Sequence, residues 1–173
     1  MKTIRYAVIL FLATTSCNNV DPNSVYQPAA TANSPEQMAK KVVAALQHMS
    51  PQEYIALFPR LEEFHHMMDK NFHFYGESLS AAKEEFAFTY RNDLIPAVKE
   101  SFNRIIREGK ENGILWNTIQ LERIGSSEMT EQRFAQDNVT IDFIANGKKH
   151  TVILEKALLM NAEWKVSQYI KLD

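Results

Sequence analysis

The chain has 173 residues, 45% of them hydrophobic and 23% charged, with 19 Lys+Arg against 21 Asp+Glu and one cysteine. A chain of about 150 residues buries roughly 70% of its unfolded surface, so this length and apolar content exclude disorder throughout. A net charge of −2 gives no overall basic field for nucleic acid, and a lone cysteine excludes an internal disulfide or a thiolate-rich zinc site.

The first segment places Lys2 and Arg5 before the apolar run Tyr6 to Ala13, followed by Thr14, Thr15, Ser16 and Cys17. A positive n-region, an h-region of this length and a small residue at the cut make a secretory signal. The run is too short for a membrane-spanning helix, which needs about 20 apolar residues. Leu12-Ala13-Thr14-Thr15-Ser16-Cys17 resembles a bacterial lipoprotein signal with its lipobox, departing at Thr14, where leucine is usual. The resemblance implies that residues 1–16 are removed and that Cys17 becomes the first mature residue, carrying a diacylglyceryl thioether and usually an acylated amine. Two or more acyl chains hold a protein stably on a bilayer, where one does so only marginally. The implied location is the cell envelope, on the outer membrane. Residues 17–33 carry one charge and two prolines with no apolar period. They are expected to form a tether of about 20 Å as a coil and ~50 Å when stretched.

A single α+β domain is expected over residues 34–173. Ser34-Pro35-Glu36-Gln37 and Ser50-Pro51-Gln52-Glu53 each combine a serine N-cap, proline at the first helical position and a capping-box residue. The first helix carries Met38, Val42, Leu46 and Met49 on one face; the second is short and stops before Pro59. A third runs from about Arg60 to Lys70, burying Leu61, Phe64, Met68 and Phe72. Phe74-Tyr75-Gly76 breaks the period. A long helical stretch then extends from about Ser80 to Lys110, bending or restarting near Pro96 with Asp93 as cap, and closed by Gly109 and Gly113. Beyond Gly113 the period falls to two. Strands are expected over Trp116–Ile124, Val139–Phe143, His150–Glu155 and Trp164–Leu172, with Asn146-Gly147 as a tight hairpin turn and a second turn near Asn161-Ala162. Helices followed by an antiparallel meander define the α+β class.

That order, with Glu163-Trp164-Lys165-Val166 opening the last strand, resembles the NTF2-like and cystatin-like domains. The resemblance implies helices packed into the concave side of a curved antiparallel sheet of about four strands. The Tyr54-Ile-Ala-Leu-Phe58-Pro59 neighbourhood is similar to secreted proteins of Bacteroidota.

The most suggestive cluster is Glu62, His66, Asp69 and His73, which fall on one side of the third helix and are weak candidates for a divalent metal. His66 and His73 stand ~10 Å apart along the axis, so one ion takes two or three of these groups at most. The simpler reading is a solvated face with pairs at i,i+4. His150 and Asp142 join such a site only if the fold brings them near, and His65 is expected to bond to backbone. NTF2-like enzymes place an Asp or His in the cone, which draws attention to Asp142 as a general base. Its two-residue period instead puts it with Thr140 and Ile144, opposite the apolar face. Phe72, Phe74, Tyr75, Phe86, Phe88 and Tyr90 either line a pocket or fill the core, and core is the expectation. The charges Lys99, Arg104, Arg107 and Lys110, interleaved with glutamates, read as a solvated face. No nucleophile elbow or phosphate loop is present.

The expected function is that of a membrane-anchored, non-catalytic module binding an envelope protein or a small ligand, with no metal, cofactor or nucleic acid. The alternative is a small pocket enzyme, hydrolase or isomerase, using Asp142 or the His66/Asp69 region.

Overall fold

The computed structural model describes residues 32–71, 78–129 and 136–173. The signal segment, Cys17 and the tether up to residue 31 lie outside the described residues, as do Phe72, His73, Phe74, Tyr75 and Gly76. Helices come first and a curled antiparallel sheet follows, an α+β fold. The described chain divides into two compact units, one of residues 60–96 and one of residues 32–59 with 97–173.

In the first unit, α3 (Leu61–Lys70) begins where the Glu63 carboxylate accepts a hydrogen bond from the Arg60 backbone N–H at 2.7 Å. Glu63 is thereby buried together with Phe64 and Met68. Helix α4 (Leu79–Thr89) runs into a π-helical turn, Tyr90–Leu94, and then into α5 (Ile95–Glu111). The expected restart capped by Asp93 does not occur. Proline lacks an N–H and its ring collides with the carbonyl four residues back, here that of Asn92. The wider turn, closed by the Ile95 N–H on the Tyr90 carbonyl, lets Pro96 enter without breaking the helix. Phe64, Phe86 and Tyr90 form an aromatic cluster, with Phe64 centred 4.9 Å from Phe86 and 6.0 Å from Tyr90. Phe88, by contrast, is 68% exposed, so it belongs neither to a pocket nor to this core.

In the second unit, both serine caps form: Ser34 Oγ accepts from Gln37 N and Ser50 Oγ from Glu53 N, opening α1 (Pro35–His48) and α2 (Pro51–Ile55). The return halves of the capping boxes go elsewhere. Gln37 Oε1 accepts from Asn33 N, and the Glu53 carboxylate takes His48 Nδ1 at 3.0 Å. The end of the expected tether is tied down, since Ala32 is fully buried and its carbonyl accepts from Trp164 N at 2.7 Å.

Gly109 does not close α5. It lies inside the helix as the seat of Trp116, whose indole would stand 2.1 Å from any Cβ added there. Trp116 Nε1 donates to the Ile106 carbonyl at 3.0 Å, and the ring packs 5.7 Å from Phe143. This anchoring turns Trp116–Thr118 into a 3₁₀ turn rather than the first residues of a strand. Helix α5 itself ends at Gly113 (φ +76°), with Ile114 N on the Gly109 carbonyl and Gly113 N on the Lys110 carbonyl, the paired bonds of a Schellman closure.

Strands β1 (Gln120–Met129), β2 (Gln136–Ala145) and β3 (Lys148–Met160) form a meander, joined between β2 and β3 by Asn146 (φ 51°) and Gly147 (φ 73°). Two short strands, β4 (Glu163–Lys165) and β5 (Ile170–Leu172), both pair with β3. The single strand expected over Trp164–Leu172 is therefore broken. Its partner explains why: β3 bulges at Lys156 (φ 56°), whose N–H is taken by Asn138 Oδ1. Opposite this bulge the last strand loops out over Val166–Tyr169, and Ser167 Oγ donates to the Glu155 carbonyl. Within β4, Lys165 is fully buried while Trp164 is only half-buried.

The core of this unit lies on the face carrying Val139, Ile141, Phe143, Val152 and Leu154. Helix α1 lies against β1 and β2, and Gln47 Nε2 donates to the Ile119 carbonyl. From α5, Phe102 stacks on Tyr54 at 5.1 Å and Arg104 donates to the Ile170 carbonyl. Burial pushes the Tyr54 hydroxyl far above its ordinary range, so it stays protonated and donates to the Ser167 carbonyl. Among the described residues, no helix is long and apolar enough to cross a membrane.

Candidate functional site

The carboxylate and imidazole candidates of α3 do not converge. Glu62 and His66 are exposed, and Asp69 is engaged by Lys83 of α4 at 2.5 Å. No three metal-ligating side chains come together among the described residues, and His73 lies outside them. His65 departs from its expected backbone bond: its Nε2 atom is buried with no hydrogen-bond partner among the described residues.

Asp142 sits on β2 opposite the apolar face, as its alternation requires, between Ile141 and Phe143 that point into the core. Arg123 of β1 donates to it through Nε at 2.9 Å and Nη2 at 2.8 Å, and Thr151 of β3 donates to its other oxygen at 2.9 Å. The bonds from Arg123 and then Thr151, with the nearby positive charges of Arg123 and Lys149, hold the carboxyl below its usual range. A general base at neutral pH needs the opposite shift and a lone pair free to receive a proton. Asp142 is built as a cross-strand tie. The β1–β2–β3 register puts Arg123, Asp142 and Thr151 in one row across the sheet, and that register is what its sequence neighbourhood did not reveal.

An open groove of about 380 Å³ lies between the end of α5 and the sheet of the second unit. Glu108 and Asn112 line it from α5, Lys148 and His150 from β3, and Leu172 and Asp173 from β5 and the residue after it. Its charges are mixed. His150 is half-buried, its ring stacked on Phe143 at 5.6 Å and 24°. Stacking fixes the plane of the imidazole but not its tautomer, which in catalytic histidines is set by a hydrogen-bonded partner. Chemically the groove offers one ammonium, one imidazole and two carboxylates, suited to hydrogen bonding with a polar ligand. Asp142 is not among the lining residues.

Lys165 went unrecognised in the sequence, hidden within a Trp-Lys-Val that reads as ordinary alternation. Its ammonium is 1% exposed and meets the Glu163 carboxylate, on the same side of β4, at 2.7 Å. Comparisons with protein-family models, curated proteins and solved structures returned no match.

Proposed function

We propose that this chain is a lipid-anchored protein of the bacterial cell envelope whose α+β domain, of NTF2-like character, binds a protein or small polar ligand without chemical turnover. The observation that carries the anchor is the sequence Lys2 to Cys17: two cations, an eight-residue apolar run, small residues, and the chain's only cysteine directly after them. Support for binding rather than turnover comes from Asp142. The carboxylate with the best claim to acid–base work is tied to Arg123 and Thr151 and held ionised. The interior of the sheet unit is occupied by Tyr54, Phe102, Trp116 and Phe143, and the open mixed-charge groove at its surface offers polar groups to a ligand.

Metabolic labelling with radioactive palmitate tests the anchor. Wild type is expected to take up label and partition with membranes, while Cys17→Ala loses both. Equal labelling of the two proteins overturns the reading. Mild-detergent co-purification from native membranes then identifies the partner, with Lys148→Glu and His150→Ala in the groove expected to weaken its retention. Retention unchanged in both variants removes the groove as the binding site.

A further inference from the structure

The sequence contains two Asn-Gly dipeptides, Asn112-Gly113 and Asn146-Gly147, and folding brings them together. The first ends α5 and the second forms the β2–β3 turn; Asn146 Nδ2 donates to the Gly113 carbonyl at 2.6 Å. All four residues are exposed. The hydrogen bond therefore clips the hairpin to the C-terminal end of the helix, beside the groove that Asn112 and Lys148 line.

Asparagine followed by glycine is the sequence most open to deamidation, because no side chain shields the following nitrogen. The backbone nitrogen of the glycine attacks Cγ of the asparagine and the C–Nδ2 bond breaks. The glycine N–H proton leaves with Nδ2 as ammonia, and a five-membered succinimide remains. Water then opens either carbonyl of that ring, giving aspartate or isoaspartate. No oxidant or reductant takes part.

The two sites are not equivalent. At Asn112 the attacking group is engaged, since Gly113 N–H donates to the Lys110 carbonyl within the closure of α5, and freeing it unwinds the helix end. At Asn146 the last ladder pair is Ala145 with Lys148, so Gly147 N lies outside the ladder; attack requires release of the side-chain clip to Gly113 and rotation of the Asn146 backbone within the exposed turn, but no unwinding of a helix. We propose that Asn146 is a deamidation site, and that its conversion irreversibly unlatches the β2–β3 turn from α5. The reaction removes the donor of the clip and puts a carboxylate beside the last carbonyls of α5, the negative end of the helix dipole. The groove rim gains a negative charge next to Lys148.

The test is to incubate the purified full-length protein, folded, at mildly alkaline pH and physiological temperature. Peptide mapping by mass spectrometry, with isoaspartate detection, follows both sites. Conversion at Asn146 is expected to run several-fold faster than at Asn112. Equal or faster conversion at Asn112, or none at Asn146, overturns the assignment. The latch is tested separately by melting Asn146→Asp and Asn146→Gly, both compatible with positive φ. Both are expected to melt below wild type, and the aspartate variant lower than the glycine one. If both melt with wild type the clip holds nothing, and if the two coincide the charge at the helix end has no part.

Discussion

Gly109→Ala is the substitution whose effect runs most clearly against local expectation. On an isolated helix it is favourable, by about 1 kcal/mol, because alanine is the better helix former. In this protein the new Cβ would sit 2.1 Å from Trp116 Cζ2, 2.5 Å from Cε2 and 2.8 Å from Nε1. The indole must then move by more than an ångström, but it is held by Nε1–H on the Ile106 carbonyl and by Phe143 behind it. Overpacking of this kind costs about 1–3 kcal/mol. Losing the bond from a buried indole N–H adds ~1–3 kcal/mol. After the gain in propensity, a net loss of about 1–5 kcal/mol is expected. For a chain of this size that is a melting temperature lower by roughly 2–20 °C. Urea unfolding monitored by tryptophan fluorescence and far-ultraviolet circular dichroism measures it. The companion is Trp116→Leu, which is itself destabilised by the lost aromatic packing but vacates the space over Gly109. In that background Gly109→Ala should be neutral or stabilising, so the double-mutant cycle shows coupling of opposite sign to the single effect. A Gly109→Ala protein as stable as wild type, or equal costs in both backgrounds, refutes the packing argument.

Other positions give further tests. Met49 ends α1 at φ 52° in a Schellman closure, with its N–H on the Leu46 carbonyl; Met49→Gly should stabilise by ~0.5–1 kcal/mol in urea titrations, and any loss argues against the strain. The folded-state pKa of Asp142 is depressed, so its contribution to stability is present above the ordinary carboxyl range and is lost as pH falls through the folded value. Asp142→Asn should accordingly be less stable than wild type at neutral pH and indistinguishable from it in strong acid, and a constant difference across the acid limb contradicts the tie to Arg123. Glu163→Gln replaces the carboxylate that meets the buried Lys165 ammonium by a neutral acceptor and should cost ~1 kcal/mol, since hydrogen bonds to charged groups are worth about 1.5–3 kcal/mol and neutral ones about 1; an unchanged urea midpoint counts against this reasoning.

The boundary between what was legible and what was not follows the range of the interactions. The serine caps at Ser34 and Ser50, the Asn146-Gly147 turn and the alternation that turns Asp142 away from the core all stand where the sequence puts them. Each depends on residues within four positions, and φ preference or side-chain reach decides it. The Asp93 restart was displaced locally, by the π turn before Pro96, but the expectations displaced in the second unit involve a partner beyond the reach of a helical turn. Gly109 reads as a helix stop until Trp116 is laid against it, and Trp116 reads as strand until Gly109 provides its seat. The break after β4 is not announced by the sequence without the bulge at Lys156 on β3, since Trp164, Val166, Ile170 and Leu172 all keep one two-residue phase.

The candidate site divides in the same way. Residue types nominated Glu62, His66, Asp69 and Asp142, but a ligand set or a base is defined by what stands within hydrogen-bond distance. That distance is set by strand register and helix packing: Asp69 meets Lys83, and Asp142 meets Arg123 and Thr151. The sequence by itself determined the α+β class, the helix starts and the hairpin, because local hydrogen bonds and periodic burial are written in neighbouring residues. Only the tertiary structure decided that Lys165 is buried, that Asp142 is a tie rather than a base, and that two Asn-Gly turns meet at one helix end, because each needs groups brought together from distant positions in the chain.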